Sequence, residues 1–458
     1  MVYRLLRENL KSSLPWKAFF EFRGIYGDIV GFNLFGRQMV VLNSYEAAKD
    51  MLGNNAATYS DRPTMTMVGM LIGTEDSAFS LARYGVAWRE RRGMLHQLVT
   101  RSSMTRLHPA LREASLRLLA DALENPVVFE STLQQRIGGA LLETTYGITA
   151  KDAEKLYLGR KGGSGGTFGF IIFGRHLVDY FPVLAYIPWI RLKKEAEFLR
   201  AAREKFLDKT FQHALSQDKS LSIVNRLVLS GKNPDSVKLA AGSFYNGGVD
   251  TTLVGIKTFL AAMMLYPEVQ KKAQEELDEV LGTLSENEVI RLPTFDDQHQ
   301  LPYLNAVIKE VHRWNPVLPL GMGHAPVKDG IYKGYFIPRD SIIFPNQWGM
   351  SRDERYYTEP EKFKPERFLG DSPALDPKEF IFGFGRRKCV GLHFAEAFIF
   401  ITLASILSAF NITKRTRDHY VEPDLPAGLA SFIDEVVCDL TPRSIGTVTL
   451  LESLHSSC

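Results

Sequence analysis

A lone cysteine in a glycine-rich turn has the clearest potential for chemistry: the segment from Phe382 to Gly391 reads FGFGRRKCVG and contains Cys389. A thiolate that ligates an iron needs backbone amides directed at its sulfur and space for a flat macrocycle. Gly385 and Gly391 lack side chains that would obstruct this approach. Phe382 can shield the sulfur from water, and Arg387 can bind a carboxylate of the macrocycle. A buried free cysteine is the alternative, but the complete motif favours an iron ligand.

Three charged residues upstream of this turn can form a second constellation. Glu310 and Arg313 are three residues apart and share a face of the helix predicted from Tyr303 to Trp314. Arg367, in the sequence PERF, can complete a buried carboxylate–guanidinium network with them. The alternative is a solvated ion pair worth less than about 1 kcal/mol, and the nearby cysteine motif favours the network.

A third pattern, GGVDTT, begins at Gly247 within a long helix predicted from Gly242 to Leu265. Two adjacent glycines inside a helix cost about 1 kcal/mol each relative to alanine. We expect such a helix to open around a ligand or a water molecule. A helix cap or kink is the alternative, but it suits Asp250 and Thr251 poorly because the apolar period continues beyond them.

Along the chain GGVDTT comes first, the Glu310, Arg313 and Arg367 set second and the Cys389 turn last, and in this order the three motifs resemble those of the cytochrome P450 family. The resemblance implies a mainly α-helical P450 fold with a small β region, and heme b held through Cys389 as the axial thiolate of its iron. It implies a structural role for Glu310, Arg313 and Arg367. It assigns Thr251 a hydrogen bond to oxygen bound at the heme, and it places Asp250 on the proton-delivery path that drives O–O cleavage.

The resemblance extends to residues that would bind the heme propionates. In the sequence WRERR, Trp88 and Arg92 are four residues apart and match a P450 helix that contacts these carboxylates. His324 follows where many P450s place a propionate-binding histidine, and Arg387 would join them. A structural histidine remains the alternative for His324.

The reaction implied is insertion of one oxygen atom from O2 into a lipophilic small molecule, with electrons from NADPH through a separate P450 reductase. Phrases such as LPYLNAVIKEVHRWNPVLPLG look most like P450s of basidiomycete fungi, which often serve specialised metabolism. Two other hypotheses stay open. One is a reductase-independent peroxide isomerase or dehydratase, and the other is a heme-binding protein without turnover.

Family topology also predicts two surfaces. The distal substrate pocket should be lined by residues near Asn246, whose amide would orient an oxygen of the substrate, and by the segments Met65 to Leu81, Val317 to Met322 and Gly428 to Phe432. A basic proximal face for the reductase should include Arg89, Arg91, Arg386 and Lys388. For Arg89 and Arg91 the default interpretation is a solvated run of charge.

Composition limits the other classes of protein. The 458 residues carry 55 Lys+Arg and 52 Asp+Glu, a net charge of +3, so nucleic acid is not an expected partner. A hydrophobic fraction of 45% excludes a disordered chain. The three cysteines are too few for a disulfide scaffold or a structural zinc site. The absence of a linker or repeat predicts one domain over residues 1–458.

The elements that position these motifs follow from local pattern. Strands are predicted in GDIVGFNLFGRQMVVLN with a turn at Gly36, and in GIYKGYFIPRDSIIFPN; a short helix is predicted from a Ser44 cap to Gly53. The uncharged run from Ala397 to Phe410 predicts a helix buried in the core rather than a membrane span.

Two features depart from the family pattern. Microsomal P450s usually begin with a membrane anchor and a proline-rich hinge, and neither is recognised here. The enzyme is therefore either unusual or lacks an N-terminal segment. By resemblance we expect the cytosolic face of the endoplasmic reticulum membrane. The glycine-rich stretch 159–169 replaces an expected helix over the substrate channel, which predicts a loosened lid or a mis-spliced segment.

Overall fold

Helices form most of the chain in the computed structural model, which describes residues 15–75, 78–124, 129–153, 176–187, 191–217, 222–282, 291–415, 436 and 438–457. The longer helices are α1 Pro15–Glu21, α2 Val86–Leu98, α3 His108–Glu124, α4 Phe129–Tyr146, α5 Arg191–Ser216, α6 Ile223–Leu229, α7 Pro234–Leu265, α8 Pro267–Leu281, α9 Pro302–Trp314, α10 Leu392–Ala409 and α11 Ile445–Ser457. Short helices connect them: Arg23–Tyr26, Tyr45–Ala48, Ala56–Tyr59, Ala150–Ala153, Leu177–Tyr180 and Gln347–Ser351. The predicted mainly helical fold is confirmed.

Seven strands form three small sheets. They are β1 Ile29–Leu34, β2 Arg37–Leu42, β3 Gly330–Tyr332, β4 Tyr335–Ile337, β5 Ile342–Pro345, β6 Phe410–Lys414 and β7 Cys438–Pro442. β1 pairs antiparallel with β2, and β5 joins β2 in parallel. The pairs β3–β4 and β6–β7 are antiparallel. Both predicted strand regions are confirmed.

The hairpin between β1 and β2 turns where the sequence predicted it. Phe35 and Gly36 both have positive φ, 50° and 86°. Two consecutive positive φ values suit a tight hairpin whose twist matches its strands. The side chain of Asn33 accepts a hydrogen bond from the Gly36 amide, which closes the turn.

Proline begins three successive helices. Pro234, Pro267 and Pro302 occupy the first turns of α7, α8 and α9. The missing N–H costs nothing there, because the first amides of a helix have no partner inside it. The side chain of Asn233 also accepts the amide of Ser236, which fixes the start of α7.

The hydrophobic core is centred on α7 and α10. Every residue of α10 from Phe398 to Ala409 is buried, as expected of a helix that is apolar all round. Both helices are long and apolar enough to cross a membrane by length and composition, yet most of each lies inside the protein. The predicted burial of the run beginning at Ala397 is confirmed.

Three local expectations turned out differently. The helix capped by Ser44 does not stop at Gly53 but continues as a wider π-helical segment, Lys49–Asn54. α7 begins at Pro234 rather than Gly242. It is also continuous through Gly247, so the prediction of an opened helix is wrong. The stretch 159–169 lies outside the described residues, and the single domain over residues 1–458 stays a prediction.

Candidate active site

The turn that carries Cys389 lies immediately before α10 and faces a cavity of about 290 Å³. The amide of Cys389 donates to the carbonyl oxygen of Phe382 at 2.7 Å, which closes the loop on itself. Gly391 caps the helix and lines the cavity beside the cysteine. A Cβ added to Gly391 would lie 3.9 Å from the Cys389 sulfur, so a larger side chain would compete for space near that sulfur.

The thiol of Cys389 lies below the outer surface but is accessible from the cavity. Burial raises its pKa, whereas the Gly391 amide and the positive charge of Arg92 act in the opposite direction. A bound cation deprotonates a coordinating thiol, so iron would take it as thiolate. The sulfur is therefore placed to ligate a metal from the floor of the cavity.

Gly385 serves packing rather than cofactor access. Its φ is +52°, and a Cβ there would lie 2.3 Å from the carbonyl oxygen of Leu52 and 2.9 Å from the Cβ of Ala56. Gly385 packs against the segment Lys49–Asn54 and does not line the cavity. The predicted reason for this glycine is thus wrong, because the collision it avoids is with the protein itself.

Trp88 and two arginines meet at one edge of the cavity. The guanidinium of Arg387 lies 4.3 Å from the centre of the Trp88 ring, and that of Arg92 lies 5.6 Å from it. The indole Nε1 of Trp88 is buried and has no hydrogen-bond partner among the residues that the structure describes. A buried N–H donor without an acceptor is costly, so this edge is built to receive an acceptor from a ligand.

The same edge has an excess of positive charge. Burial, helped by the charges of Arg62 and Arg92, lowers the pKa of Arg387 to about 8. Arg387 donates to the carbonyl oxygens of Ser60 at 2.7 Å and Ala82 at 2.8 Å, which hold it in place. Anionic carboxylates would stabilise this cluster. The residues present therefore fit a macrocycle that carries carboxylates and a central iron.

Arg62 belongs to this edge although no motif predicted it. Its guanidinium donates to the carbonyl oxygens of Ser80 at 2.8 Å, Met322 at 3.0 Å and Gly323 at 2.8 Å. It thereby ties two chain segments that are distant in sequence to the cavity wall. The signal was absent from the sequence because its partners are all backbone atoms.

His324 lies at the cavity with its ring fixed. Its Nδ1 pairs with the carbonyl oxygen of Tyr59 at 2.7 Å, so Nδ1 carries the proton. Burial and the charge of Arg62 hold the pKa of His324 well below its usual range. The structure thus places His324 where the resemblance expects it, and its contact with a propionate stays a prediction.

The opposite wall of the cavity is formed by α7. Gly247, Gly248, Thr251 and Thr252 line it. The Thr251 hydroxyl donates to the carbonyl oxygen of Gly247 at 2.7 Å, four residues earlier. Gly248 instead permits close packing, since a Cβ there would lie 2.9 Å from the side chain of Leu141 in α4. Gly247 thus has open space beside it, whereas Gly248 both lines the cavity and permits this close packing.

Asp250 is adjacent to Thr251 in the sequence but is buried in the protein, whereas Thr251 faces the cavity. Its side chain is 2% exposed and does not line the cavity in the described part of the chain. Its negative charge, together with burial as the larger cause, raises the pKa of Tyr245 to about 12. The role of Asp250 in proton delivery stays a prediction.

Glu310, Arg313 and Arg367 meet as the sequence predicted. Arg313 grips Glu310 with two hydrogen bonds of 2.7 and 2.8 Å, and Arg367 reaches the same carboxylate at 3.2 Å. The side chains of Glu310 and Arg313 are completely buried. Arg313 also donates to the carbonyl oxygens of Ser351, Pro360 and Lys362, so the network joins α9 to the loops before the cysteine turn.

His312 lies inside this motif but on the other face of α9. It lines the cavity, and its ring meets that of Phe382 edge-on at 5.7 Å. Its Nε2 is buried and has no hydrogen-bond partner in the described part of the chain. Burial lowers its pKa to about 4. The sequence analysis did not identify His312, because the motif that contains it is defined by Glu310 and Arg313 alone.

Most of the predicted substrate-pocket segments reach the cavity. Asn246 lines it, as do Thr74 and residues 78–81 of the first segment and Val317, Leu318, Gly321 and Met322 of the second. The tip Gly428 to Phe432 lies outside the described residues. Arg203 and Leu207 of α5 also line the cavity and were not predicted.

The predicted proximal basic face is only partly on the surface. Arg89 and Arg386 are exposed, and both guanidinium groups lie over the ring of Tyr84, at 5.8 and 5.4 Å from its centre. Arg91 is 8% exposed, so its interpretation as a solvated charge was wrong. Lys388 is half-buried and lines the cavity.

Within the described ranges no group of three or more His, Cys, Asp or Glu could hold a metal ion. A single sulfur ligand suits an iron whose remaining ligands come from a macrocycle. The helical fold, the cysteine turn before α10 and the cationic edge together define a heme-thiolate protein.

The chain belongs to the cytochrome P450 family, since the family model "Cytochrome P450" matches residues 4–430. Its function is that of a P450 monooxygenase with a heme-thiolate cofactor. The predicted resemblance and the predicted cofactor are confirmed.

Its relatives are fungal. Cytochrome P450 monooxygenase 208 of Postia placenta is 35% identical and aligns with 98% of this chain and 90% of its own length. Cytochrome P450 monooxygenase claR of Ampulloclitocybe clavipes is 34% identical, covering 97% of this chain and 85% of that protein. The predicted likeness to basidiomycete P450s is confirmed.

Solved structures agree on the fold. A zebra fish cytochrome P450 determined with abiraterone superposes with a TM-score of 0.75 at 22% identity, covering 94% of this chain and all of that one. The same enzyme with progesterone gives a TM-score of 0.76 at 23% identity, with 94% and 99% covered. At this identity the likeness concerns the fold alone.

Proposed function

We propose that this P450 monooxygenase inserts one oxygen atom from O2 into a lipophilic small molecule, such as a terpenoid or an aromatic polyketide, in fungal specialised metabolism. The observation that carries the proposal is a single cavity with Cys389 on its floor and Thr251 on the facing wall of α7. Apolar side chains line the space between them, among them Phe79, Phe244 and Leu318. Such a lining favours an apolar substrate and excludes water.

Heme ligated by a thiolate supplies the activation of O2, because the thiolate pushes electron density to the iron. The residues of this chain hold that chemistry in place. Cys389 provides the sulfur, and Trp88, Arg92 and Arg387 would bind the propionates, with His324 beside them. The hydroxyl of Thr251 holds a proton that it now donates to Gly247. A small rotation of this side chain would direct that proton into the cavity, with Asp250 as the proposed source of the next one.

Electrons would come from NADPH through a separate P450 reductase. Arg89 and Arg386, both exposed and both over the ring of Tyr84, support a docking surface for an acidic partner. We expect Arg386→Glu to raise the reductase concentration needed for half-maximal turnover. That concentration should also change less with salt in the variant than in the unmodified enzyme. Lys271→Glu on the exposed face of α8 is the control. Equal behaviour of the two variants would remove this surface from the proposal.

The proposed location is the cytosolic face of the endoplasmic reticulum membrane. An exposed apolar cluster supports contact with a lipid surface: the ring of Phe35 meets Tyr180 and Phe181, with Val183 and Tyr186 exposed nearby. Flotation with phosphatidylcholine vesicles tests it. Replacement of Val183 and Tyr186 by serine should reduce the bound fraction, and an unchanged fraction would contradict the proposal.

The proposed reaction is tested with purified enzyme, NADPH, a fungal P450 reductase and a panel of terpenoids and aromatic polyketides. We expect hydroxylated products that require both NADPH and O2. Cys389→Ser should abolish them, together with the long-wavelength Soret band of the reduced carbonyl complex that marks thiolate ligation. Cys438→Ser, buried in β7, is the matched control. Product formation from a hydroperoxide without reductase, and none with it, would contradict the proposal.

A further inference from the structure

We propose that Arg203 of α5 and Asn246 of α7 together bind a carboxylate, so that the substrate is a lipophilic carboxylic acid oxidised at a carbon remote from its acid group. This inference rests on the proposed monooxygenation and names the substrate class of the same cavity. Both residues line the cavity, and they come from two different helices.

The contacts between α5 and α7 run in opposite directions along the two helices. Lys238 pairs with Asp208 at 2.9 Å, and Tyr245 meets the ring of Phe206 at 5.1 Å. Between them Leu207 lies over Gly242, where a Cβ would come within 2.1 Å of the leucine side chain. The two helices are therefore antiparallel here, and the glycine permits their close approach.

This register sets the level of the two polar residues. Arg203 precedes Leu207 by one helical turn, and Asn246 follows Gly242 by one turn, so both lie on the faces that continue this contact. Because the helices are antiparallel, one turn back along α5 and one turn forward along α7 reach the same level. Arg203 and Asn246 therefore line the cavity at the same level.

The electrostatics at this level favour an anion. Burial lowers the pKa of Arg203; the negative charge of the neighbouring Glu204 acts against this change, and the positive charge of Arg200 acts with it. Arg200 is held by the carbonyl oxygens of Met70 and Leu71, each at 2.7 Å. No Asp or Glu side chain lines the cavity among the described residues. A carboxylate that enters the cavity can therefore pair with the guanidinium of Arg203.

Asn246 completes the recognition of a carboxylate. Its side-chain amide makes no hydrogen bond with the described part of the chain, and it lines the cavity. A carboxylate has two oxygens, which can accept from a planar guanidinium fork and from an amide N–H at once. This pair is distinct from the propionate edge, because the charged neighbours of Arg387 are Arg62, Asp61 and Arg92 rather than Arg203.

The position of the pair along α7 also sets where oxidation occurs. Asn246 precedes Thr251 by five residues, which is about 7.5 Å along a helix that rises 1.5 Å per residue. A C–H bond of the acid is replaced by C–OH, one atom of O2 enters the product, and the other leaves as water. Two electrons from NADPH through the reductase and two protons complete the balance, and the carboxylate itself is unchanged.

The experiment compares acids with their neutral analogues in binding to the ferric holoenzyme, read as the spin-state shift of the Soret band. The probes are dodecanoic acid and abietic acid, each with its methyl ester. We expect at least one acid to bind about tenfold or more tightly than its ester, a difference of about 1.4 kcal/mol. Equal affinity of both acids and their esters would overturn the inference.

Variants assign that preference to the pair. Arg203→Leu should remove the preference for the acid over its ester by lowering the affinity for the acid alone. Arg203→Lys should keep part of this preference, and Asn246→Ala should reduce it. Lys205→Leu, an exposed cation two residues further along α5, is the matched control. An intact thiolate spectrum of the reduced carbonyl complex checks the fold of each variant.

Two further outcomes separate this inference from the proposed function. If Arg203→Leu weakened acid and ester equally while the thiolate spectrum stayed intact, the carboxylate site would be refuted and monooxygenation would stand. If acids bound selectively but NADPH and reductase gave no oxidised acid, the site would stand and the proposed reaction would be refuted.

Discussion

The guanidinium carbon of Arg387 lies 4.3 Å from the centre of the Trp88 ring, and the indole N–H of that ring is buried without a partner. A cation over an indole face is stabilised by the ring quadrupole. The stack therefore fixes Arg387 while leaving the edge of Trp88 directed at a ligand acceptor. It joins the helix α2 to the cysteine turn across the sequence.

Trp88→Phe keeps the aromatic face and removes only the Nε1–H donor. We expect heme to dissociate faster by about tenfold or more, because one hydrogen bond to a charged acceptor contributes about 1.5–3 kcal/mol. Transfer of heme to apomyoglobin measures the rate. Trp348→Phe is the control, since its Nε1 is also buried without a partner but does not line the cavity. Equal rates for both variants would contradict the prediction.

Thr251→Ala removes the hydroxyl that donates to Gly247. We expect NADPH consumption to continue while product per NADPH falls by about tenfold or more, since positioned proton transfer contributes about 10²–10⁴-fold. Hydrogen peroxide should account for the difference. Thr251→Ser retains the hydroxyl and should restore most of the coupling. An alanine variant with unchanged coupling would exclude Thr251 from proton transfer.

Glu310→Gln leaves the shape of the side chain but removes its charge beside two guanidinium groups. Loss of one partner from a buried pair typically costs about 3–5 kcal/mol, and Arg313 is completely buried. We expect a large fall in the unfolding temperature of the holoenzyme and poor heme retention. Glu275→Gln, from an exposed pair with Lys271, should cost less than about 1 kcal/mol.

His312 should make the fold sensitive to acid. Its pKa is lowered by burial to about 4, from about 6.5 in an unfolded chain. Between these values the unfolded state binds more protons, so stability falls as pH drops from about 6.5 to about 4. His312→Leu should remove that part of the pH dependence, on the order of 1–3 kcal/mol, measured by unfolding of the holoenzyme.

The control for His312 is His96→Leu, because His96 is exposed on α2. We expect it to leave the acid dependence of stability unchanged. If His312→Leu followed the same pH profile as the unmodified enzyme, the buried imidazole would not be the group responsible.

The sequence by itself determined the residues that must carry the chemistry. Cys389 in its glycine-rich turn, the pair Glu310 and Arg313, and the GGVDTT pattern each have a fixed local spacing, and Arg367 was found through its own short motif, PERF. The helices and strands around them follow from apolar periodicity and turn residues, which are local properties. For that reason the mainly helical fold, the hairpin at Gly36 and the buried helix α10 were all predictable.

Only the tertiary structure decided which side each residue faces. Gly385 avoids Leu52 rather than a cofactor, Arg91 is buried, and Arg62 reaches the site through backbone carbonyls. Arg203 and Asn246 meet at one level only because α5 and α7 run antiparallel over Gly242. These relations join residues far apart in the chain, and no local spacing encodes them. They arise when packing brings separate helices and loops together.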